Sequence, residues 1–256
     1  MKLASQFLYK VCRHYHTSRG LYVPTVEKSE SNDQLRHKLE HSEEVIKRAM
    51  TLYKPNEMML SFNGGKDCTV LLDILARMTS PTTSMPLEAV YVKSANPFEE
   101  LETFVDDSVQ RYGLQLRIYQ GALKVAFEQL IAEDSQVKAI FLGCRRSDPE
   151  GFDLCDMAPT NNGWPAMMRI FPLLEWSYHD IWSYLRSNNL PYCCLYNRGY
   201  TSLGDRSSTR LNPKLLSYDE KLGKMTYRPA YELEDVRLER INRDGHGQVA
   251  VSGTKQ

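Results

Sequence analysis

Met59-Leu60-Ser61-Phe62-Asn63-Gly64-Gly65-Lys66-Asp67-Cys68 is the stretch that decides the fold. An apolar run, Glu57–Phe62, reads as a short strand. It meets paired glycines and passes directly into Lys66–Met78, where Val70, Leu71, Ile74 and Leu75 sit at helical spacing. Glycines let a backbone turn sharply and approach a ligand closely. The free N–H groups and the dipole at the start of the helix favour a phosphate, and Lys66 adds positive charge. In an open α/β sheet a ligand belongs at this carboxyl end of a strand. Two familiar phosphate loops do not fit. A Walker loop would need glycine at Leu60 and a hydroxyl at Asp67, and a dinucleotide fingerprint needs three spaced glycines rather than an adjacent pair. Taken alone, the stretch also fits a structural strand-to-helix turn.

Outward from this loop, strand and helix alternate. A helix over Asn32–Lys54 carries Leu35, Leu39, Val45, Ile46, Ala49 and Leu52 as an apolar stripe, and Pro55 stops it. Downstream come a strand over Leu87–Lys93, a helix over Phe98–Tyr112 with Gly113 as its C-cap, and a strand over Leu114–Tyr119. A helix over Ala122–Asp134 and a buried strand over Val137–Gly143 come next. This order predicts an α/β fold, a parallel twisted sheet flanked by helices. Beyond Gly143 the pattern loosens into a loop-rich extension. Cys144–Met167 and Leu190–Pro213 are long and irregular, and loops of that length carry function or are disordered. Between them, Ser177 opens a helix to about Asn189, with Asp180 as its capping-box partner.

Composition sets the outer limits. At roughly 100–200 residues per domain, the 256 residues make one large domain or two small ones. Lys+Arg and Asp+Glu both number 32, which disfavours nucleic-acid binding through bulk charge, because that needs a basic excess. No apolar run approaches the roughly 18 residues of a membrane span. The six cysteines include no Cys-x-x-Cys pair and fit reduced intracellular thiols. Residues 1–26 hold Lys2, Lys10, Arg13 and Arg19 and no acid. That arm reads as a mitochondrial presequence or, equally, as a disordered basic arm, which leaves the cytoplasm or the mitochondrial matrix as the compartment. Residues 27–243 are expected to form the working domain, and 244–256 a flexible tail.

The second half holds further candidate chemistry. Gly143-Cys144-Arg145-Arg146-Ser147-Asp148-Pro149 places two guanidiniums and a carboxylate at the end of a strand. Arginine suits phosphate oxygens through its planar fork, and a solvated turn is the plain alternative. In Asn162-Gly163-Trp164-Pro165-Ala166-Met167-Met168-Arg169, the Trp and Met side chains read as core or as apolar cover for a flat ring. Arg198-Gly199-Tyr200-Thr201-Ser202-Leu203-Gly204 offers small hydrogen-bonding groups. Arg237, Arg240 and Arg243 share one face if their segment is helical; a solvated helix end is the alternative. His179 is expected at the surface, on a helix packed by Ile181, Trp182 and Leu185.

Ser61-Phe62-Asn63-Gly64-Gly65-Lys66-Asp67 resembles the PP-loop of the nucleotide alpha-hydrolases, and the Asn and Cys68 match the eukaryotic FAD synthase (FMN adenylyltransferase) branch, related in fold to PAPS reductase. The later motifs resemble that branch in the same order, over roughly 32–243. In layout the chain resembles the single-domain fungal form, without the molybdopterin-binding-like domain of vertebrate FAD synthases. PAPS reductase itself is disfavoured by the lack of cysteine after Cys194, and a tRNA thiolase by the lack of a spaced pair.

The resemblance implies FMN + ATP → FAD + diphosphate, with Mg2+ accompanying ATP and held by Asp67 or Asp148 through water. It implies catalytic roles for Asn63, Asp67, Asp148, Arg240 and Arg243. ATP would meet Ser61, Phe62, Asn63, Gly64, Gly65, Lys66 and Asp67, with the beta and gamma phosphates over Asn63–Asp67, and Tyr200, Thr201, Ser202, Leu203 and Gly204. FMN would meet Arg145, Arg146, Asp148, Gly163, Trp164, Met168 and Arg169. Arg145, Arg146 and Arg240 are candidates for charge on the alpha-phosphate. Flavoproteins are candidate clients; nucleic acid and a membrane span are not expected. The alternatives are another ATP-using enzyme of the PAPS reductase-like group, or a non-catalytic flavin nucleotide carrier.

Overall fold

Met58–Ser61 (β1) is shielded on both faces, with Met59 and Leu60 1% and 0% exposed, as a strand between two helical layers must be. The computed structural model describes residues 27–79, 85–149, 151–161 and 163–243. The arm 1–26 and the tail 244–256 lie outside the described residues. Of the unit formed by residues 1–36, the described part is the start of α1 (Glu27–Leu52). The sheet and every other described helix belong to the unit formed by residues 37–256.

β1 leads into α2 (Lys66–Thr79), β2 (Glu88–Lys93), α3 (Glu99–Tyr112), β3 (Gln115–Gln120), α4 (Leu123–Glu133) and β4 (Ala139–Phe141). The sheet order is β3-β2-β1-β4-β6-β5, where β5 is Met157–Pro159 and β6 is Met168–Ile170. The chain therefore moves outward from β1 through β2 and β3, then crosses back to place β4 on the other side of β1, in register Met59↔Ile140. The crevice over the carboxyl ends of β1 and β4 is the topological switch point, where open α/β sheets receive ligands. Met59, Val90 and Ile140 pack with Ala126, Phe127 and Leu130 of α4. Each fully buried side chain the size of Val, Leu or Phe is worth about 1.5–3 kcal/mol. Gly113 closes α3 at φ 62°. Ser177 and Asp180 form the expected capping box ahead of α5 (Tyr178–Ser187). Along α1, Val45, Ile46 and Ala49 are buried, and Ser42 accepts from Trp176 Nε1 at 2.9 Å while donating to Pro172 O at 2.7 Å.

The second half holds more regular structure than its sequence suggested. β5 (Met157–Pro159) lies inside the stretch expected to be irregular, and β6 (Met168–Ile170) comes directly after that stretch. β6 runs parallel to β4, but β5 is antiparallel to β6, so the sheet is mixed at that edge. Three-residue strands are too short for a period of two to register in sequence. A hairpin of β7 (Leu216–Asp219) and β8 (Lys224–Tyr227) also went unpredicted. The helical face expected for Arg237, Arg240 and Arg243 does not form. Only Val236–Leu238 make a 3-10 turn, capped by Asp235, which also holds the exposed Arg237 guanidinium at 2.8 Å. Arg240 and Arg243 turn inward instead.

Candidate active site

A cavity of about 280 Å³ opens over the carboxyl ends of β1, β2 and β4. Its floor is the β1–α2 loop. Gly64 bends that loop at φ +72°, and a Cβ there would sit 2.9 Å from Leu101 of α3. At the end of β4, a Cβ on Gly143 would stand 2.9 Å from the backbone N of Cys68, so glycine lets strand and helix start close up. Asn63 shapes the loop through its side-chain oxygen, which accepts from Gly65 N at 3.0 Å and from the Cys68 thiol at 2.9 Å. Tyr196 accepts the backbone N–H of Lys66 at 3.0 Å.

Six charged groups cluster here, five of them on the cavity lining and Arg145 behind it. Glu239 accepts from Lys66 Nζ at 2.5 Å and from Arg145 Nη2 at 2.7 and 2.9 Å. Lys66 also meets Asp67 at 3.0 Å and lies 5.2 Å from the Tyr178 ring. Arg145, 1% exposed, gathers three carboxylates. Besides Glu239 it reaches Asp67 through Nε at 2.8 Å, as an ion pair without an aligned hydrogen bond. It reaches Asp148 through Nη2 at 3.3 Å and through its backbone N–H at 2.8 Å. Arg240 Nη1 stands 3.9 Å from Asp148 Oδ1. Three positive groups thus face three negative ones.

The environments push these acids apart. Burial would raise the Asp67 carboxyl, but Lys66 and Arg145 outweigh it and hold the group below its ordinary value. Asp148 goes the other way, raised chiefly by burial that Arg145 does not fully offset, with Asp67 and Glu239 adding like charge. Burial also pushes the Cys68 thiol up to about 12 and the Cys144 thiol up to about 11.

Of the residues marked from sequence, Ser61, Asn63, Gly65, Lys66, Asp67 and Asp148 line the cavity, as do Ser202, Leu203, Gly204 and Arg240. The structure places others elsewhere. Phe62 is a core side chain, 0% exposed, and Gly64 is covered by α3. Tyr200 packs edge-on to Phe98. Thr201 is fully buried and donates to Glu239 O at 2.6 Å. Arg243 bonds Leu203 O at 2.8 Å. Arg145 stands behind the cavity wall, and Arg146 pairs with Glu175 while donating to Phe152 O and Leu154 O. Gly163, Trp164, Met168 and Arg169 are not brought to the cavity. Trp164 packs edge-on to Phe127, and Arg169 donates to Pro159 O at 3.0 Å beside the Phe171 ring. His179 is exposed and meets Leu233 O at 2.9 Å.

Glu239 and Tyr196 were missed in the sequence. The only signal for Glu239 was an acid set between the arginines already singled out; Tyr196 had none. Among the described residues, no group of three or more His, Cys, Asp or Glu is placed to hold a metal ion. None of their helices is long and apolar enough to cross a membrane.

Comparison with known proteins bears on this arrangement. The phosphoadenosine phosphosulfate reductase domain family matches the chain over residues 57–135 and 119–211. A Schizosaccharomyces pombe protein named "Probable FAD synthase" is 36% identical over 239 residues, 91% of this chain and 88% of its own length. A Caenorhabditis elegans protein of the same name is 34% identical over 220 residues, 84% of this chain but 42% of that longer protein. The crystal structure of Candida glabrata FMN adenylyltransferase with FMN and the ATP analogue AMPCPP superposes with a TM-score of 0.77. It is 26% identical, over 94% of this chain and 98% of that one.

Proposed function

The chain belongs to the phosphoadenosine phosphosulfate reductase domain family and, within it, to the FAD synthases, and from that premise we infer that it transfers AMP from ATP to FMN, giving FAD and diphosphate. The observation that carries the reading is the convergence of the glycine loop, Asp148, Ser202–Gly204 and Arg240 on one cavity at the switch point of the sheet.

An FMN phosphate oxygen attacks the alpha-phosphorus of ATP in line. The new P–O bond forms as the bond to the bridging oxygen of the diphosphate breaks, and diphosphate leaves. A phosphate monoester has a second pKa of about 6, so the attacking oxygen is already anionic near neutrality and no general base is required. Neither cavity cysteine is a thiolate there, since both thiols are pushed up by burial, and this supports direct transfer over a covalent cysteinyl intermediate. Positioning and charge stabilisation are then the protein's contribution. Arg240 faces the reacting phosphates from the cavity wall, with Arg243 behind it. Asn63 and Gly65 set the loop on which the diphosphate rests. Lys66 is engaged by Glu239 and Asp67, so its role here is to anchor the loop.

Mg2+ is proposed to arrive on the phosphates of ATP. The two carboxylates expected to hold it, Asp67 and Asp148, are taken up by Arg145. Among the described residues these carboxylates form no resident metal site. For the flavin side we keep Gly163, Trp164, Met168 and Arg169. Trp164 is 39% exposed, which leaves a ring face to be covered, and a raised KM for FMN in Trp164→Ala tests it. For the compartment we propose the cytoplasm, with residues 1–26 as a mitochondrial address the alternative; a reporter fusion that enters mitochondria decides for the alternative.

Incubation with FMN and alpha-labelled ATP tests the activity. Labelled FAD is expected. A chain that binds both nucleotides and releases no labelled FAD is a carrier and refutes the reading.

A further inference from the structure

We infer that Glu239 is a positioning residue: clamped between Lys66 and Arg145, it fixes where Arg240 stands against the reacting phosphates. The inference rests on the adenylyl-transfer reading above and adds to it a residue that acts through another.

Two sets of bonds meet at this one residue. Its carboxylate takes Lys66 Nζ at 2.5 Å and the Arg145 guanidinium at 2.7 and 2.9 Å. Lys66 is the first residue of α2, and Arg145 comes after β4, so the side chain ties the helix start to the strand end across the crevice. The main chain around it is tied elsewhere. Thr201 Oγ1 donates to Glu239 O at 2.6 Å, and Asn212 Nδ2 donates to Thr201 Oγ1 at 2.9 Å and to Leu238 O at 3.0 Å. On the far side of Arg240, Asn242 Nδ2 donates to Ser202 O at 3.0 Å and Arg210 O at 2.9 Å. Arg240 sits between these anchors and lines the cavity.

Glu239 borders the cavity, yet both of its carboxylate oxygens are held by Lys66 and Arg145. It is 6% exposed, and an anion is a poor neighbour for phosphates unless its charge is already matched. Here two buried cations match it. Lys66 and Arg145, both suited to phosphate, converge on this carboxylate, while Lys66 also meets Asp67 and Arg145 also meets Asp67 and Asp148. That is explicable if the carboxylate sets the geometry of Arg240, its chain neighbour on the cavity wall. Small displacements of a group that stabilises developing charge are costly to rate.

Steady-state kinetics on wild type, Glu239→Asp, Arg240→Ala and the double variant, with FMN and ATP each varied, test this. Aspartate keeps the charge and shortens the reach by one methylene. The expected result is a KM for both substrates within about twofold of wild type and a kcat reduced about tenfold or more, the pattern of an interaction made in the transition state. The double variant should lose no more than Arg240→Ala alone, because Glu239 acts through Arg240. A merely structural residue would lower the melting temperature and multiply with Arg240→Ala. If Glu239→Asp does not fold, Thr201→Val loosens the same turn without touching a charge and carries the same expectation. A wild-type kcat in the aspartate variant, or losses that multiply in the double variant, overturns the inference. A wild type that makes no FAD overturns the reading and the inference together.

Discussion

The Tyr196 hydroxyl accepts the backbone N–H of Lys66 at 3.0 Å, filling with a side chain one of the donors that a helix start otherwise turns toward an anion. Tyr196→Phe keeps the ring and strands that N–H in a buried place. A loss of about 1–3 kcal/mol in a urea melt is expected. KM for ATP should change little, since this donor is not offered to phosphate.

A second expectation concerns Gly204. A Cβ there would lie 2.1 Å from Arg243 Nη2, so Gly204→Ala must push the guanidinium off its bond to Leu203 O. The end of an arginine moves easily, so the melting temperature should fall by only a few degrees, about 1 kcal/mol. kcat/KM should drop if Arg243 steadies charge beside Arg240. Unchanged kinetics would remove Arg243 from the mechanism.

Cys68 offers a chemical readout. Its thiol is buried, donates to Asn63 Oδ1, and is pushed up to about 12. At pH 8 in the folded protein it should resist alkylation while the exposed Cys155 reacts; in denaturant both should react. Cys68→Ser should keep activity, because a hydroxyl can donate to the same oxygen.

Asp67 and Asp148 should answer pH in opposite senses. Asp148 has its folded pKa raised, so between the ordinary value of 3.8 and that raised value the folded state binds the extra proton. Stability from this group therefore rises as pH falls through the window, and Asp148→Asn should abolish the rise. Asp67 has its folded pKa lowered, so its contribution is present above 3.8 and lost as pH falls through the folded value. Asp67→Asn leaves Lys66 and Arg145 short of a counter-charge and should cost about 3–5 kcal/mol at pH 7. Urea melts across pH for the three proteins check both signs.

The legible parts of this protein are those whose causes lie close together in the chain. Strand, glycine pair and helix start are contiguous at Ser61–Cys68, and the Ser177–Asp180 box is equally local; both formed as expected. Glu239 was illegible because its meaning depends on Lys66, 173 positions away. An acid among arginines reads in isolation as surface charge. Arg145 and Arg146 look alike in sequence, yet one is buried among three carboxylates and the other pairs at the surface with Glu175. Direction of burial is a tertiary property that neighbours in the chain do not encode. β5 and β6 were lost because three residues cannot display a period.

The long sequence separation between Lys66 and Glu239 also bears on synthesis. The cost of closing a loop grows only slowly with its length, so the finished protein loses little by the distance. A chain leaving the ribosome is in a different position. β1 to β4 can pair and bury their apolar faces as soon as Phe141 is free, yet once Arg145 follows, it and Lys66 share only Asp67 and lack Glu239, the carboxylate that clamps them both. On the inference above, competence arrives only when the segment around Glu239 emerges, so a nascent chain cannot engage nucleotides productively before that point.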